Sequence, residues 1–117
     1  MKTEQTFMMI FRYSPNSEYK PTAAEMKNMK QAWGSFIGNI AIKEKLESTH
    51  QLGFEGKQIS ADLSVSNGML LSENKTISGT MIVKANSLDE AVEMAKNSPI
   101  LKMGGAVEVR TIIPMGN

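Results

Sequence analysis

The sequence predicts an α+β domain with a mainly antiparallel sheet, and three features carry that expectation. Apolar and polar residues alternate in several short runs, the period of strands with one wet face. Two segments open with Thr or Ser followed three residues later by glutamate, the signature of a helix start. The chain has 117 residues, the length of a single domain able to bury a real core, so residues 1–117 are read as one domain.

Taken in order, FMMIFRY (Phe7 to Tyr13) is a strand with Phe7, Met9, Phe11 and Tyr13 on one face and Met8, Ile10 and Arg12 on the other. Ser14-Pro15-Asn16-Ser17 breaks it. Thr22 and Glu25 form a capping box ahead of an apolar stripe, Met26, Met29, Trp33, Ile37 and Ile40, on a helix that should close near Lys45. Glu47 to Gly56 reads as a connector carrying His50, the only histidine. Ile59, Ala61, Leu63 and Val65 alternate with Ser60, Asp62, Ser64 and Ser66 as the next strand. Asn67-Gly68 then signals a hairpin turn, because both residues tolerate positive φ. Met69-Leu70-Leu71 reads as continuing strand and Ser72-Glu73-Asn74 as a second turn.

Thr76 to Ala85 is a longer strand. Ser87-Leu88-Asp89-Glu90 is a second capping box, leading a helix with Leu88, Ala91, Val92 and Ala95 turned inward. Pro99 stops that helix, and Gly104-Gly105 leads into a last strand, AVEVRTII. The order is strand, helix, hairpin, long strand, helix, strand, which fits a ferredoxin-like split βαβ arrangement.

Composition narrows the functional classes. The formal net charge is +1 and lysines are spread along the chain, so no footprint for nucleic acid or anionic membrane is expected. There are no cysteines, which excludes disulfides, thiol nucleophiles and thiolate metal sites. One histidine and no carboxylate cluster at ligand spacing give no metal constellation, and no phosphate loop or dinucleotide fingerprint is present, so no cofactor is expected. No stretch reaches the length of a membrane span, and the chain is read as cytoplasmic. Ten methionines read first as flexible core filler and second as a deformable pocket lining.

Two helices can cover only one face of such a sheet. Phe7, Met9, Phe11, Val107 and Val109 mark the helix side; Met8, Ile10, Arg12, Ala106, Glu108, Arg110 and Ile112 mark the other. An open face mixing apolar residues with charges predicts a homodimer packed face to face. Arg12, Glu108 and Arg110 would then be a charge network holding the dimer, or the polar wall of a pocket for an anionic or polar small ligand.

The chain resembles the YCII-related proteins, in particular the branch named for an Asp-Gly-Pro-Phe tetrapeptide. FMMIFRY, MKQAWGSFIGNI and above all SLDEAVEMAKNSPILKMGGAVEVRTI carry the resemblance, which spans nearly the whole chain. It implies a dimeric α+β barrel of ferredoxin-like protomers. At the name-giving motif this chain has Asn67-Gly68-Met69-Leu70, where the glycine is kept while the carboxylate has become an amide and the proline is gone; a register starting at Gly68 keeps nothing of the motif. Some members are thought to use a His-Asp pair; here His50 stands alone in sequence, and the resemblance implies a pocket more than a reaction.

His50 is therefore either a loop histidine or an acid/base group at a pocket mouth, and it is the catalytic candidate. Trp33 and Tyr13 read as core or interface residues, with stacking on a planar ligand as the sharper role for both. The ligand-binding candidates are Arg12, Trp33, His50, Glu108 and Arg110. Two functions remain open: a small-molecule binding protein or enzyme using a pocket between sheet and helices, and a non-catalytic interaction module accessory to transcription regulation. A cavity of about 300 Å³ or more would favour the first.

Overall fold

The computed structural model describes residues 4–15 and 21–115. Its elements run β1 (Gln5–Tyr13), α1 (Ala23–Ile42), β2 (Leu46–Gln51), β3 (Lys57–Ile59), β4 (Val65–Asn67), β5 (Thr76–Ala85), α2 (Leu88–Ala95), a 3₁₀ helix (Pro99–Met103) and β6 (Ala106–Thr111). Asn16 and Ser17, half of the break expected after β1, lie outside the described residues.

Four strands form one sheet in the order β2-β5-β1-β6, every neighbouring pair antiparallel. This is the ferredoxin-like order. The two central strands carry the core. Met9 lies opposite Met81 on one side and Val109 on the other, and Phe7 opposite Val83 and Thr111. Phe7, Met9, Met81 and Val83 are at most 1% exposed. The face assignment read from alternation holds: Phe7, Met9 and Phe11 are buried with Val107 and Val109 packed against them, while Met8, Ile10, Arg12, Glu108 and Ile112 are only half-buried.

Both helices lie against the buried face. α1 starts at the expected capping box: the Thr22 hydroxyl accepts from the Glu25 N–H at 3.1 Å, and the Glu25 carboxylate accepts from the Thr22 N–H at 3.0 Å. Its buried residues are Phe36 and Ile40, with Trp33 and Ile37 packed alongside. Phe36 was absent from the expected stripe, although it lies three residues beyond Trp33 and four before Ile40, hence on the same helical face. Met26, counted in the stripe, lies in the first turn and is 59% exposed. In α2 the small residues Ala91 and Ala95 are buried, but Leu88 points out at the first turn. Its second capping box is only half formed: Ser87 accepts from the Glu90 N–H, while the Glu90 carboxylate accepts from the Asn86 N–H and from Lys45.

The largest correction concerns residues 46–75. The expected connector around His50 is β2, the edge strand of the main sheet, paired with β5. The run read as one long strand is a separate small hairpin, β3 with β4, inserted between β2 and β5. Its turn lies at residues 60–64, where Leu63 has φ +71. Asn67-Gly68 is not its tip; Asn67 ends β4 at the base of the hairpin. Met69-Leu70-Leu71 forms no strand. The turn at Ser72-Glu73-Asn74 is present, with Glu73 and Asn74 both at positive φ.

Candidate functional site

A cleft of about 490 Å³ opens where α1 leaves the end of the sheet. Met29, Trp33 and Ile37 of α1 form one wall; Phe11 and Tyr13 of β1 form the floor; Ile100 and Met103 of the 3₁₀ helix close one end and Leu52 and Phe54, just after β2, the other. The aromatic rings meet edge to face, which favours their quadrupoles. Phe11 and Trp33 have centroids 5.2 Å apart at 85°, and Trp33 and Phe36 lie 5.9 Å apart at 75°. Tyr13 meets Phe54 at 6.3 Å and 62°.

Gly79 lets β2 come close at this point. A side chain there would place its first carbon 2.6 Å from the His50 carbonyl oxygen, so the edge strand tolerates no Cβ at the cleft.

The polar groups of the cleft differ in how well they are used. The Ser78 hydroxyl donates to the Phe11 carbonyl at 3.3 Å and the Thr49 hydroxyl to the Thr80 carbonyl at 3.4 Å. The Tyr13 hydroxyl oxygen is buried and has no hydrogen-bond partner among the described residues. Burial also pushes the Tyr13 pKa above its ordinary value, so the phenol stays a neutral donor at physiological pH. A buried hydroxyl without a partner costs about 1–3 kcal/mol. Among the described residues no carboxylate lines the cleft, and Lys30 stands at its edge.

The sequence-derived candidates divide between this cleft and the opposite side of the sheet. Trp33 and His50 line the cleft. His50, however, pairs with Thr80, whereas Thr49 and Gln51 pair with Met81 and Gly79, so the register puts the imidazole on the face away from the cleft interior. Asp62, in the hairpin turn, accepts hydrogen bonds from Ser64.

Arg12, Glu108 and Arg110 gather on the open face and are absent from the cleft lining. Arg12 Nη1 donates to Glu108 Oε1 at 2.6 Å across β1 and β6, and Arg110 Nε lies 3.9 Å from Glu108 Oε2. The Arg12 guanidinium beside it holds the Glu108 carboxyl below its ordinary range.

Sequence reasoning gave Tyr13 only a secondary role as a stacking group, weighed Thr49 only as a nucleophile beside His50, and passed over Gln51 and Phe54. The signal for Tyr13 was present in its alternation with Phe11. The others depend on β2, whose Thr-His-Gln composition hides a strand.

A second groove, about 740 Å³, runs between α1 and α2 over Phe36, Ile40 and Met94. Its centre is ion-paired: Lys45 Nζ lies 3.0 Å from both Glu4 Oε2 and Glu90 Oε1. Among the described residues no group of three or more His, Cys, Asp or Glu is placed to hold a metal, and no helix is long and apolar enough to cross a membrane.

A four-stranded antiparallel sheet, two helices on one face and an aromatic cleft at its edge define an α+β protein of ferredoxin-like architecture. Within that class the chain belongs to the YCII-related domain family, which it matches over residues 6–116. No individual curated protein matches it.

Proposed function

We propose that this YCII-related chain binds a small amphipathic molecule, with an aromatic or aliphatic body and a polar or anionic head, and that it does so as a homodimer. The Tyr13 hydroxyl carries this reading: a buried donor without a partner among the described residues, in a cleft of about 490 Å³ lined by Phe11, Trp33 and Phe54, asks for an acceptor on a ligand. The cleft volume falls within the usual range for small-molecule sites, which are mostly apolar with a few placed polar groups. Lys30 at the edge, with no carboxylate beside it in the lining, favours an anionic head over a cationic one. An open cleft favours ligand binding over the interaction-module reading, which a filled interior would support. The open sheet face supports the homodimer, since Met8, Ile10, Ile82 and Ile112 are only half-buried there and, among the described residues, both helices pack on the opposite face.

Trp33 is the only tryptophan, so its emission reports on the cleft. Titration with 8-anilinonaphthalene-1-sulfonate, an aromatic body with an anionic head, should quench Trp33 saturably. Tyr13→Phe should weaken that binding about fivefold, the worth of one neutral hydrogen bond. Trp33 emission that does not move, or a Tyr13→Phe variant that binds as tightly as the parent, overturns the reading. Light scattering that shows a clean monomer at micromolar concentration overturns the dimer.

A further inference from the structure

The segment from Leu52 to Lys75, which leaves the sheet after β2 and returns at β5, is exposed along most of its length. Phe54, Ile59, Leu63 and Leu70 are each at least 70% exposed, and Val65 and Leu71 are more than half exposed. β3 and β4 pair with each other and not with the main sheet. A two-stranded hairpin on its own is marginal in water. The radius of gyration is 16.1 Å, where a compact chain of this length has about 13 Å. The segment is an arm that reaches away from the body.

The tip of the arm is ordered by its own hydrogen bonds. The Leu63 N–H donates to the Ser60 carbonyl and the Ser60 N–H to the Ser64 carbonyl, both at 2.8 Å. The Asp62 carboxylate accepts from the Ser64 N–H at 3.0 Å and from the Ser64 hydroxyl at 2.6 Å. Leu63 sits at φ +71, a region that residues with a bulky side chain rarely adopt, and its side chain is 80% exposed. The turn thus presents a leucine and a carboxylate side by side, and among the described residues nothing covers the leucine. Backbone strain of this kind points to a function.

The same chain carries a surface of matching chemistry. On the open sheet face Arg110 lies opposite Met8, with Ile112 two residues further along the chain. The Arg110 side chain is 68% exposed and only loosely held, since Glu108 makes its short contact with Arg12. Charges complement as well: the arm has Glu55, Asp62 and Glu73 against Lys57 and Lys75, whereas the face cluster has Arg12 and Arg110 against Glu108.

We infer that the arm clasps a second copy of this chain: the tip of each protomer seats at the β6 edge of the other's open face, Leu63 against Ile112 and Asp62 against Arg110, while the sheets pack over Met8 and Ile10. Two-fold symmetry satisfies both arms at once, because each protomer offers one arm and one receiving face. The inference rests on the proposed homodimer and adds the arm as its second attachment.

Sedimentation equilibrium on the full chain tests it. Leu63→Gly suits the positive φ and folds, yet it removes the anchoring side chain; the dimer dissociation constant should rise at least tenfold. Asp62→Lys and Arg110→Glu should each weaken the dimer, and the two together should restore it towards the parent value. A parent chain that is monomeric throughout overturns the homodimer and the clasp together. A dimer whose affinity ignores Leu63→Gly and Asp62→Lys overturns the clasp and leaves face-to-face pairing standing. A double variant as weak as its singles overturns the Asp62–Arg110 contact.

Discussion

The central strand β5 and the inserted arm are written in the same pattern and end in opposite environments. Met81, Val83 and Ala85 recur at every second position, between Thr80, Ile82 and Lys84, and are completely buried; Ile59, Leu63 and Val65 recur with the same period, between Ser60, Asp62 and Ser64, and are 72%, 80% and 59% exposed. The difference is position. β5 has β1 on one side and β2 on the other, and two helices above it. β3 has only β4. Alternation specifies a strand with one face in need of cover. It does not specify whether that cover comes from the same chain.

Truncating one residue in each region is the strongest way to break this comparison. Met81→Ala should destabilise the chain by about 2–5 kcal/mol, because it leaves a cavity under the helices that the sheet cannot close. Val65→Ala should cost less than about 0.5 kcal/mol when the protein is dilute enough to be monomeric. Denaturant unfolding monitored by circular dichroism measures both. A Val65→Ala cost close to that of Met81→Ala would mean that the arm is packed within its own chain.

Leu63→Gly sharpens the same contrast with a change of opposite sign. Holding a leucine in the left-handed region costs about 1–2 kcal/mol, and glycine gives part of that back through its freedom in the unfolded chain. The monomer should gain roughly 0.5–1 kcal/mol in urea unfolding at low concentration. A variant that is more stable as a monomer and weaker as a dimer would separate folding from association at one residue. A loss of monomer stability would show that the Leu63 side chain already has partners in its own chain.

How much of this was legible in the sequence depends on the kind of signal. Thr22 and Glu25 announce the start of α1 because a capping box is local chemistry. Phe7, Met9 and Phe11 announce the buried face of β1 because side-chain direction in a strand has a period of two residues. The order of elements led to the ferredoxin-like class even though one strand was misplaced. β2 was missed because LESTHQ has one large apolar residue, Leu46; its strand character comes from pairing with β5, a contact some thirty residues away in sequence.

The hairpin turn was misplaced for a related reason. Asn67-Gly68 is a genuine positive-φ signal, with Gly68 at +98, but it serves the base of the hairpin, where the Gly68 N–H donates to the Gly56 carbonyl at 2.8 Å. The tip uses Asp62 hydrogen bonds and a strained leucine, which no propensity rule favours. For the site, Trp33 was legible as an aromatic on the inner stripe. The separation of Trp33 from Arg12, Glu108 and Arg110 was not, because it depends on which side of the sheet the cleft opens.

The smallest expected effect lies on the open face, where the comparison turns from apolar cover to charge. The Arg12 guanidinium holds the Glu108 carboxyl below its ordinary range, chiefly through their hydrogen bond. A carboxylate whose pKa is lowered on folding contributes stability that is present above its unfolded pKa, about 4.3, and is lost as pH falls through the folded value. Glu108→Gln keeps the size and removes the charge. The melting temperature of the parent should exceed that of the variant by a small margin near neutral pH, because the pair is partly exposed and screened. The margin should close as pH falls below the unfolded value and through the lowered folded one.

The Lys45–Glu90 pair on the helix side also carries a lowered carboxyl, and it is untouched in the variant. Any acid destabilisation that the parent and Glu108→Gln share therefore belongs to groups such as Glu90, and only the closing margin belongs to the open face. A margin that persists undiminished throughout the acid range would assign Glu108 a packing role and leave Arg12 without the charge partner that fixes it on the face. A margin that also grows with protein concentration at neutral pH would show that the Arg12–Glu108 pair lies within the association surface, because only a dimer responds to concentration.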